Sequence, residues 1–146
     1  MGIVDDLLAN PGLYIGIDRV MDSDLRGAAR IAVTPLPGRV GVALDYEVYN
    51  GSMPENPRGH VEHTLIARAH SGKVIMVIAD THSGALTILE EGEPGVFEPE
   101  ADAALPYPVK VVVTFPEPGR LRHAWWYGSR EEGAVERDVS ELTLTT

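Results

Sequence analysis

The segment over residues 60–92 constrains the fold more than any other part of the chain. It reads as three short β-type runs joined by two similar turns, His70-Ser71-Gly72 and His82-Ser83-Gly84. Runs rich in Val, Ile and Thr between such turns are typical of strands. Strands joined by short turns pair antiparallel. This regular meander predicts a β-barrel, and the interior of a small barrel is the natural place for a functional site.

Similar β-type runs continue along almost the whole chain. We predict strands at residues 13–21, 28–34, 40–49, 61–69, 74–80, 86–90, 96–98, 109–115, 121–127 and 140–145. Residues 4–9 are predicted to form one or two helical turns, which Asn10-Pro11-Gly12 ends. Short strands with mostly short turns are typical of a barrel or a sandwich. We therefore predict an all-β, about ten-stranded antiparallel up-and-down barrel, as a single domain over residues 1–146.

Charge and composition narrow the classes of function. The chain carries 12 Lys and Arg against 22 Asp and Glu, a net charge of −10, and its arginines are scattered. This balance repels phosphate backbones and anionic bilayers, so we expect no nucleic-acid partner and no membrane partner. The chain has no cysteine, and its acidic N-terminal stretch lacks the apolar run of a signal peptide or a membrane span. We expect a cytoplasmic protein.

Alternation along the strands assigns side chains to the inside or the outside of the barrel, because neighbours on a strand point to opposite faces. The predicted inward sets are Val40, Val42, Leu44, Tyr46 and Val48; Val61, His63, Leu65, Ala67 and Ala69; Val109, Val111, Val113 and Phe115; and Leu121, His123, Trp125 and Tyr127. The opposite faces carry charged residues, among them Glu62 and Arg68. On this assignment His60 lies on an outer face, and His70 and His82 lie in turns.

The inward polar and aromatic side chains form the candidate site. We predict that a ligand is bound by Tyr46, His63, His123, Trp125 and Tyr127. Three interpretations of an inward histidine stay open: a core histidine bonded to a neighbour, a residue that orients a ligand, or a metal or haem ligand. His60 and His63 point to opposite faces of one strand, and we predict no metal site. No hydrolase, Walker or dinucleotide motif is present, so the catalytic residues stay unknown.

Several segments resemble one family. The opening Gly12-Leu13-Tyr14-Ile15-Gly16 is similar to the Gly-x-Trp-x-Gly motif of the nitrobindin-like proteins, which belong to the calycin group with the lipocalins and fatty-acid-binding proteins. Residues 44–64 look like the third and fourth strands of that family. Residues 74–87 and the following Glu91-Gly92 look like its strand, its His-Pro-Ser/Thr-Gly turn and its Glu-x-Gly. The resemblance implies a barrel with a ligand inside one end.

The resemblance also implies haem, bound by a histidine just before the last strand. The matching region over residues 136–142 holds no histidine, and Tyr14 stands in place of the Trp of the opening motif. We therefore expect no cofactor, and we keep haem as the alternative, with His63 or His123 as the substitute ligand.

Three functions stay open. The first is a binding module that holds a small, mostly apolar molecule in the barrel. The second is an enzyme, either a haem-dependent peroxynitrite isomerase or a cofactor-free isomerase or cyclase with His63 or His123 as the general base. The third is a structural role in which side chains fill the barrel. The volume of the cavity separates the third from the other two, and the sequence leaves open whether the protein is a homodimer.

Overall fold

The described residues of this computed structural model are 2–50 and 58–146, without the side chain of Arg58. Within them, a closed antiparallel barrel of ten strands follows one short α-helix. The elements are α1 (Ile3–Ala9), β1 (Gly12–Val20), β2 (Arg26–Pro35), β3 (Gly41–Tyr49), β4 (Arg58–Arg68), β5 (Val74–Asp80), β6 (Thr87–Glu91), β7 (Val96–Glu98), β8 (Val109–Glu117), β9 (Arg120–Tyr127) and β10 (Val135–Leu144). The predicted all-β fold, its antiparallel barrel and its N-terminal helical turn are confirmed.

The barrel closes where β1 pairs with β10, and every other strand pairs with its neighbours along the chain. Gly16 lies opposite Leu142 in this closing seam. A methyl group on Gly16 would lie 1.9 Å from the carbonyl oxygen of Glu141. The two backbones therefore approach each other at a distance that only a residue without a β-carbon permits.

Helix α1 covers one end of the barrel. It buries Ile3, Val4, Leu7 and Leu8 and packs against β2, β3, β4 and β8. The barrel interior next to the helix is filled by buried apolar side chains, which include Tyr14, Ile31, Val42, Leu44, Ile66, Leu121 and Leu142. This apolar end provides the hydrophobic core of the protein.

The inward side chains change from apolar to polar with distance from α1. On β4 they run from Ile66 through Thr64 and Glu62 to His60, and all but His60 are almost fully buried. The inward residues of β1, β3, β9 and β10 also become polar, at Asp18, Tyr46, His123 and Ser140, whereas those of β2 and β8 stay apolar. The result is a polar layer, which consists of Asp18, Tyr46, Glu62, Thr64, His123 and Ser140.

The face assignment for β4 is wrong by one residue. Glu62 and Thr64 are 1% and 2% exposed, whereas the side chain of His63 is 72% exposed. Leu65, at 44% exposed, also lies outside, together with Val61, Ala67 and Ala69. Apolar residues occur on both faces of this strand, and the alternation favoured the face that carries more of them. The face with Glu62 and Thr64 nevertheless lies inside, because these polar side chains have hydrogen-bond partners in the barrel.

The other face assignments are confirmed at most of the buried residues, with one exception. Val40 precedes β3 and is 45% exposed, so its inward placement is wrong. The inward placements on β8 and β9 are confirmed at the buried residues Val109, Val111, Val113, Leu121 and His123. Among the described residues, no helix is long and apolar enough to cross a bilayer.

Candidate functional site

A cavity of about 1400 Å³ lies at the end of the barrel opposite α1. The strand ends and turns of that side form its wall, and the apolar part of the wall includes Val20, Met21, Leu25, Val48, Leu105 and Val109. Polar groups reach the cavity from three strands, through Asp18, His60 and Asp138. This end of the barrel is therefore not filled by its own side chains, which argues against the purely structural reading.

Glu62 is a buried carboxylate that three neighbours hold in place. Its Oε1 atom accepts hydrogen bonds from His60 Nε2 at 3.0 Å and from Trp125 Nε1 at 3.1 Å. Its Oε2 atom accepts one from the hydroxyl of Thr64. Burial alone would raise the pKa of Glu62, but the bond from His60, the nearby imidazoles of His123 and His60, and the bond from Thr64 together lower it. Glu62 is therefore ionised at neutral pH, with donors that replace water.

His60 connects Glu62 to the cavity. Its ring stacks on that of His82 with the centroids 5.3 Å apart, and it meets the ring of Tyr46 edge-on at 5.5 Å. Burial lowers the pKa of His60, but the hydrogen bond and the charge of Glu62 outweigh that effect and leave the pKa raised. Because Glu62 accepts the hydrogen on Nε2, the neutral ring carries its lone pair on Nδ1.

His123 lies in the polar layer beneath the cavity. Its side chain is fully buried, with its ring centroid 4.8 Å from that of Tyr46 and Nε2 3.9 Å from Oε2 of Glu62. Among the described residues, neither ring nitrogen of His123 has a hydrogen-bond partner. Burial lowers the pKa of His123 despite the opposing charge of Glu62. The ring is therefore neutral at neutral pH.

A pair of carboxyl groups, Asp18 and Asp138, lies beside Tyr46. The Oδ1 atom of Asp18 accepts hydrogen bonds from the hydroxyls of Ser140 at 2.8 Å and Tyr46 at 3.3 Å. Those two hydroxyl oxygens also lie within hydrogen-bonding distance of each other, and since each carries one hydrogen, one of them shares its hydrogen between Asp18 and the other hydroxyl. Burial, followed by the hydrogen bond to Asp18 and the charge of Asp18, raises the pKa of Asp138 to about 8. Asp138 therefore holds the proton that the pair shares at neutral pH.

A β-bulge in β10 lies immediately before Asp138, which faces the cavity on the same side of the strand as Ser140 and Leu142. Asp138 pairs with Trp125 of β9, whereas Glu136 pairs with Trp126, so Arg137 is an extra residue in β10. The side chain of Arg137 bonds to a backbone carbonyl of β9 and to a carboxylate of the β9–β10 turn. Because the bulge interrupts the alternation, Arg137 and Asp138 both reach the cavity wall.

The structure brings most of the predicted ligand-binding residues together. Tyr46, Trp125 and Tyr127 lie on the cavity wall, and His123 lies beneath it, in contact with Tyr46 and Trp125. His63 is on the outer surface, where it bonds to Asp45 at 2.5 Å, so its inward placement is wrong. That these residues bind a ligand stays a prediction.

Sequence reasoning missed the acidic part of the site. The residues it missed are Asp18, His60, Glu62, His82, Asp138 and Ser140. The spacing of Glu62 and His60, two apart on one strand, was available as a signal that they share a face. Asp138 and Ser140 are also two apart, but the strand predicted at residues 140–145 begins after Asp138, so the alternation did not reach it.

The residues at the site do not fit haem bound by the route that the resemblance implies. β10 carries no histidine, and His123 is buried beneath the cavity with Glu62 close to its Nε2. His60 reaches the cavity, but its Nε2 atom is bonded to Glu62. Among the described residues, no group of three or more His, Asp and Glu side chains is arranged to hold a metal ion.

No known family model and no curated protein matches the sequence. The closed ten-stranded barrel of the described residues is consistent with a calycin-like fold. The function is therefore inferred from the site itself.

Proposed function

We propose that the protein binds a small, mostly apolar molecule in the cavity, with a polar group of that molecule directed at His60 and Asp138. The observation that carries this proposal is the cavity of about 1400 Å³, with apolar side chains over much of its wall and polar side chains gathered from three strands. Sites for small molecules are commonly apolar clefts of about 300–1000 Å³ with a few placed polar groups. The volume here is enough for a ligand of that kind with water beside it.

The aromatic residues on the wall support the same function. Trp125 and Tyr127 offer flat apolar surface, and Tyr46, which belongs to the polar layer, also lines the cavity. Aromatic rings contribute large contact area and hold a ligand in one orientation. The nearby polar groups fix its polar end. The absence of a nucleic-acid or membrane partner, the cytoplasmic location and the nitrobindin-like membership stay predictions.

The binding proposal is tested with N-phenyl-1-naphthylamine, a neutral apolar dye whose emission rises in an apolar environment. We expect saturable binding to the wild-type protein. Leu105→Trp places a large side chain in the cavity wall and should weaken binding at least about tenfold, a loss of about 1.4 kcal/mol. Leu65→Trp is the matched control, because Leu65 is exposed on the outside of the barrel, and it should bind the dye as the wild type does.

Two results would overturn this proposal. One is that the dye does not bind, and the other is that both tryptophan variants bind it equally, which would place the dye outside the barrel. A hemin titration under the same conditions tests the family alternative. A Soret band that disappears in His60→Ala or His123→Ala would favour a nitrobindin-like haem protein instead.

A further inference from the structure

We propose that the cavity catalyses a proton shift in an enolisable carbonyl compound, with His60 as the proton acceptor and Asp138 as the proton donor. This inference rests on the proposed binding function, and it adds a substrate class and a reaction. It is carried by the side chains of three strands that meet at the base of the cavity.

The acceptor side is the pair of Glu62 and His60. Glu62 is 1% exposed and does not reach the cavity, whereas His60 lines it. The 3.0 Å bond between Glu62 and Nε2 fixes the ring and its tautomer. Nδ1 is then the atom with the free lone pair. This arrangement of a buried carboxylate, an imidazole and an open space is that of an oriented general base.

The donor side is the pair of Asp18 and Asp138. Asp18 already accepts hydrogen bonds from Tyr46 and Ser140, which stabilise its charged form. Asp138 lines the cavity beside Asp18, and among the described residues neither of these hydroxyls donates to it, so Asp138 is the member of the pair that favours the neutral form. A carboxylic acid kept neutral at the base of a cavity is suited to give a hydrogen bond or a proton to an oxygen atom.

Acceptor and donor lie near the same two aromatic residues. The ring of Tyr46 lies 5.5 Å from that of His60, and its hydroxyl bonds to Asp18. Trp125 lies 6.5 Å from His60, ring to ring, and is the backbone partner of Asp138 in the adjacent strand. His60 and Asp138 therefore line one cavity, and the proposed substrate contacts both.

The reaction balances without any further reactant. His60 Nδ1 takes a proton from the carbon next to the carbonyl, and the electrons of that C–H bond form the carbon–carbon double bond of the enol. The electrons of the carbonyl π bond move to the oxygen atom, and that oxygen takes the proton of Asp138. The enol oxygen returns its proton to Asp138, and His60 returns a proton to carbon. Delivery to a different carbon completes an isomerisation, and replacement of the His60 proton by deuterium from heavy water before its return to the same carbon completes an exchange. General acid–base catalysis of this kind commonly contributes about 10²–10⁴-fold.

The experiment measures deuterium uptake by 2-tetralone in heavy water, at concentrations that displace N-phenyl-1-naphthylamine from the cavity. We expect the wild type to accelerate exchange above the buffer rate. His60→Gln should lose about 100-fold or more of that acceleration. His63→Gln is the matched control, because His63 lies on the same strand with its own carboxylate partner but faces outward, and it should exchange at the wild-type rate.

The pH profile distinguishes catalysis from a structural role. Exchange should rise as His60 loses its proton and fall above about pH 8, as Asp138 loses its own. Asp138→Asn should remove the fall at high pH and lower the rate, whereas Asp102→Asn, in an exposed loop, should do neither. Glu62 is a positioning residue, and Glu62→Gln should move the rising limb to lower pH, because Glu62 raises the pKa of His60.

The outcomes separate this inference from the binding proposal. If the dye binds, but 2-tetralone does not displace it or does not exchange above the buffer rate, the proton-transfer inference is wrong and the binding function stands. Equal rates in His60→Gln and His63→Gln would also overturn it. If the dye itself does not bind, the binding function fails first.

Discussion

Glu62 shows, at the scale of single residues, what holds the polar layer together. A buried charge is tolerated where donors replace the lost water. Glu62 receives three such donors, from His60, Thr64 and Trp125. The layer is therefore built around one carboxylate, and the hydrogen bonds that His60, Thr64 and Trp125 donate are strongest while Glu62 stays ionised.

Replacing Glu62 by Gln should destabilise the fold by about 1.5–3 kcal/mol, the usual contribution of a hydrogen bond to a charged group. The amide keeps one acceptor oxygen and sets its NH₂ group against donors. The pKa of Glu62 is lowered in the fold, so its contribution is present above the ordinary carboxyl pKa and is lost as the pH falls through the folded value. Urea unfolding measures the difference in the free energy of unfolding between the wild type and Glu62→Gln, and this difference should be smaller in acid than at pH 7. Glu98→Gln, an exposed residue of β7, should change little.

Asp138 has the opposite pH dependence. Its pKa is raised from the ordinary carboxyl range to about 8. Asp138 therefore favours the fold fully below the pKa of the unfolded chain and loses that contribution as the pH rises from about 4 to about 8. Asp138→Asn should remove this part of the pH dependence and make the protein relatively more stable at pH 8 than the wild type is. Thermal melts from pH 5 to pH 9 test this, with Asp102→Asn as the exposed control. A wild-type slope that survives in Asp138→Asn would contradict it.

The histidines of β4 show where sequence reasoning reached its limit. His60 and His63 differ in face, and the alternation assigned them the wrong way round. A correct signal existed in β3, because Asp45 was assigned outward and cross-strand partners share a face. Asp45 pairs with His63. The sequence between β3 and β4 carries no turn signal that fixes the register, so this pairing could not be predicted from it.

At the scale of elements, the meander was predictable, because turn residues and β-branched runs specify antiparallel pairing locally. The closing of β1 on β10 joins the two ends of the chain, and nothing local in the sequence encodes it. The closure requires glycine at position 16, because the backbone of β10 occupies the space that a side chain would need.

Gly16→Ala should therefore weaken the closing seam. The new methyl group would meet the carbonyl oxygen of Glu141, so one strand has to move, at about 1–3 kcal/mol as for other overpacked sites. Gly84→Ala is the matched control, because an added β-carbon there meets nothing within 4 Å. Unfolding in urea compares the two variants, and equal stabilities would mean that the seam adjusts without loss.

At the scale of the whole molecule, the barrel divides into an apolar end that α1 covers and an end that holds the cavity. The division follows from the change of the inward residues along β1, β3, β4, β9 and β10, since those of β2 and β8 stay apolar. The fold is thus stabilised mainly at one end, and the other end is free to carry polar groups and open space. Composition and periodicity predict the barrel but not this division. The division depends on the position along the barrel axis at which each strand starts.

Leu7→Ala tests whether the two ends are independent. Leu7 is fully buried in α1, and its truncation should cost about 2–5 kcal/mol. Leu7 is not among the residues that line the cavity. The loss of stability in Leu7→Ala should therefore leave the stabilisation by a bound ligand unchanged. N-phenyl-1-naphthylamine at about 100 times its Kd should raise the free energy of unfolding by about 2.7 kcal/mol in the wild type and in Leu7→Ala alike. A smaller increment in Leu7→Ala, with Leu65→Ala unchanged, would mean that the packing under α1 shapes the cavity through the polar layer between them.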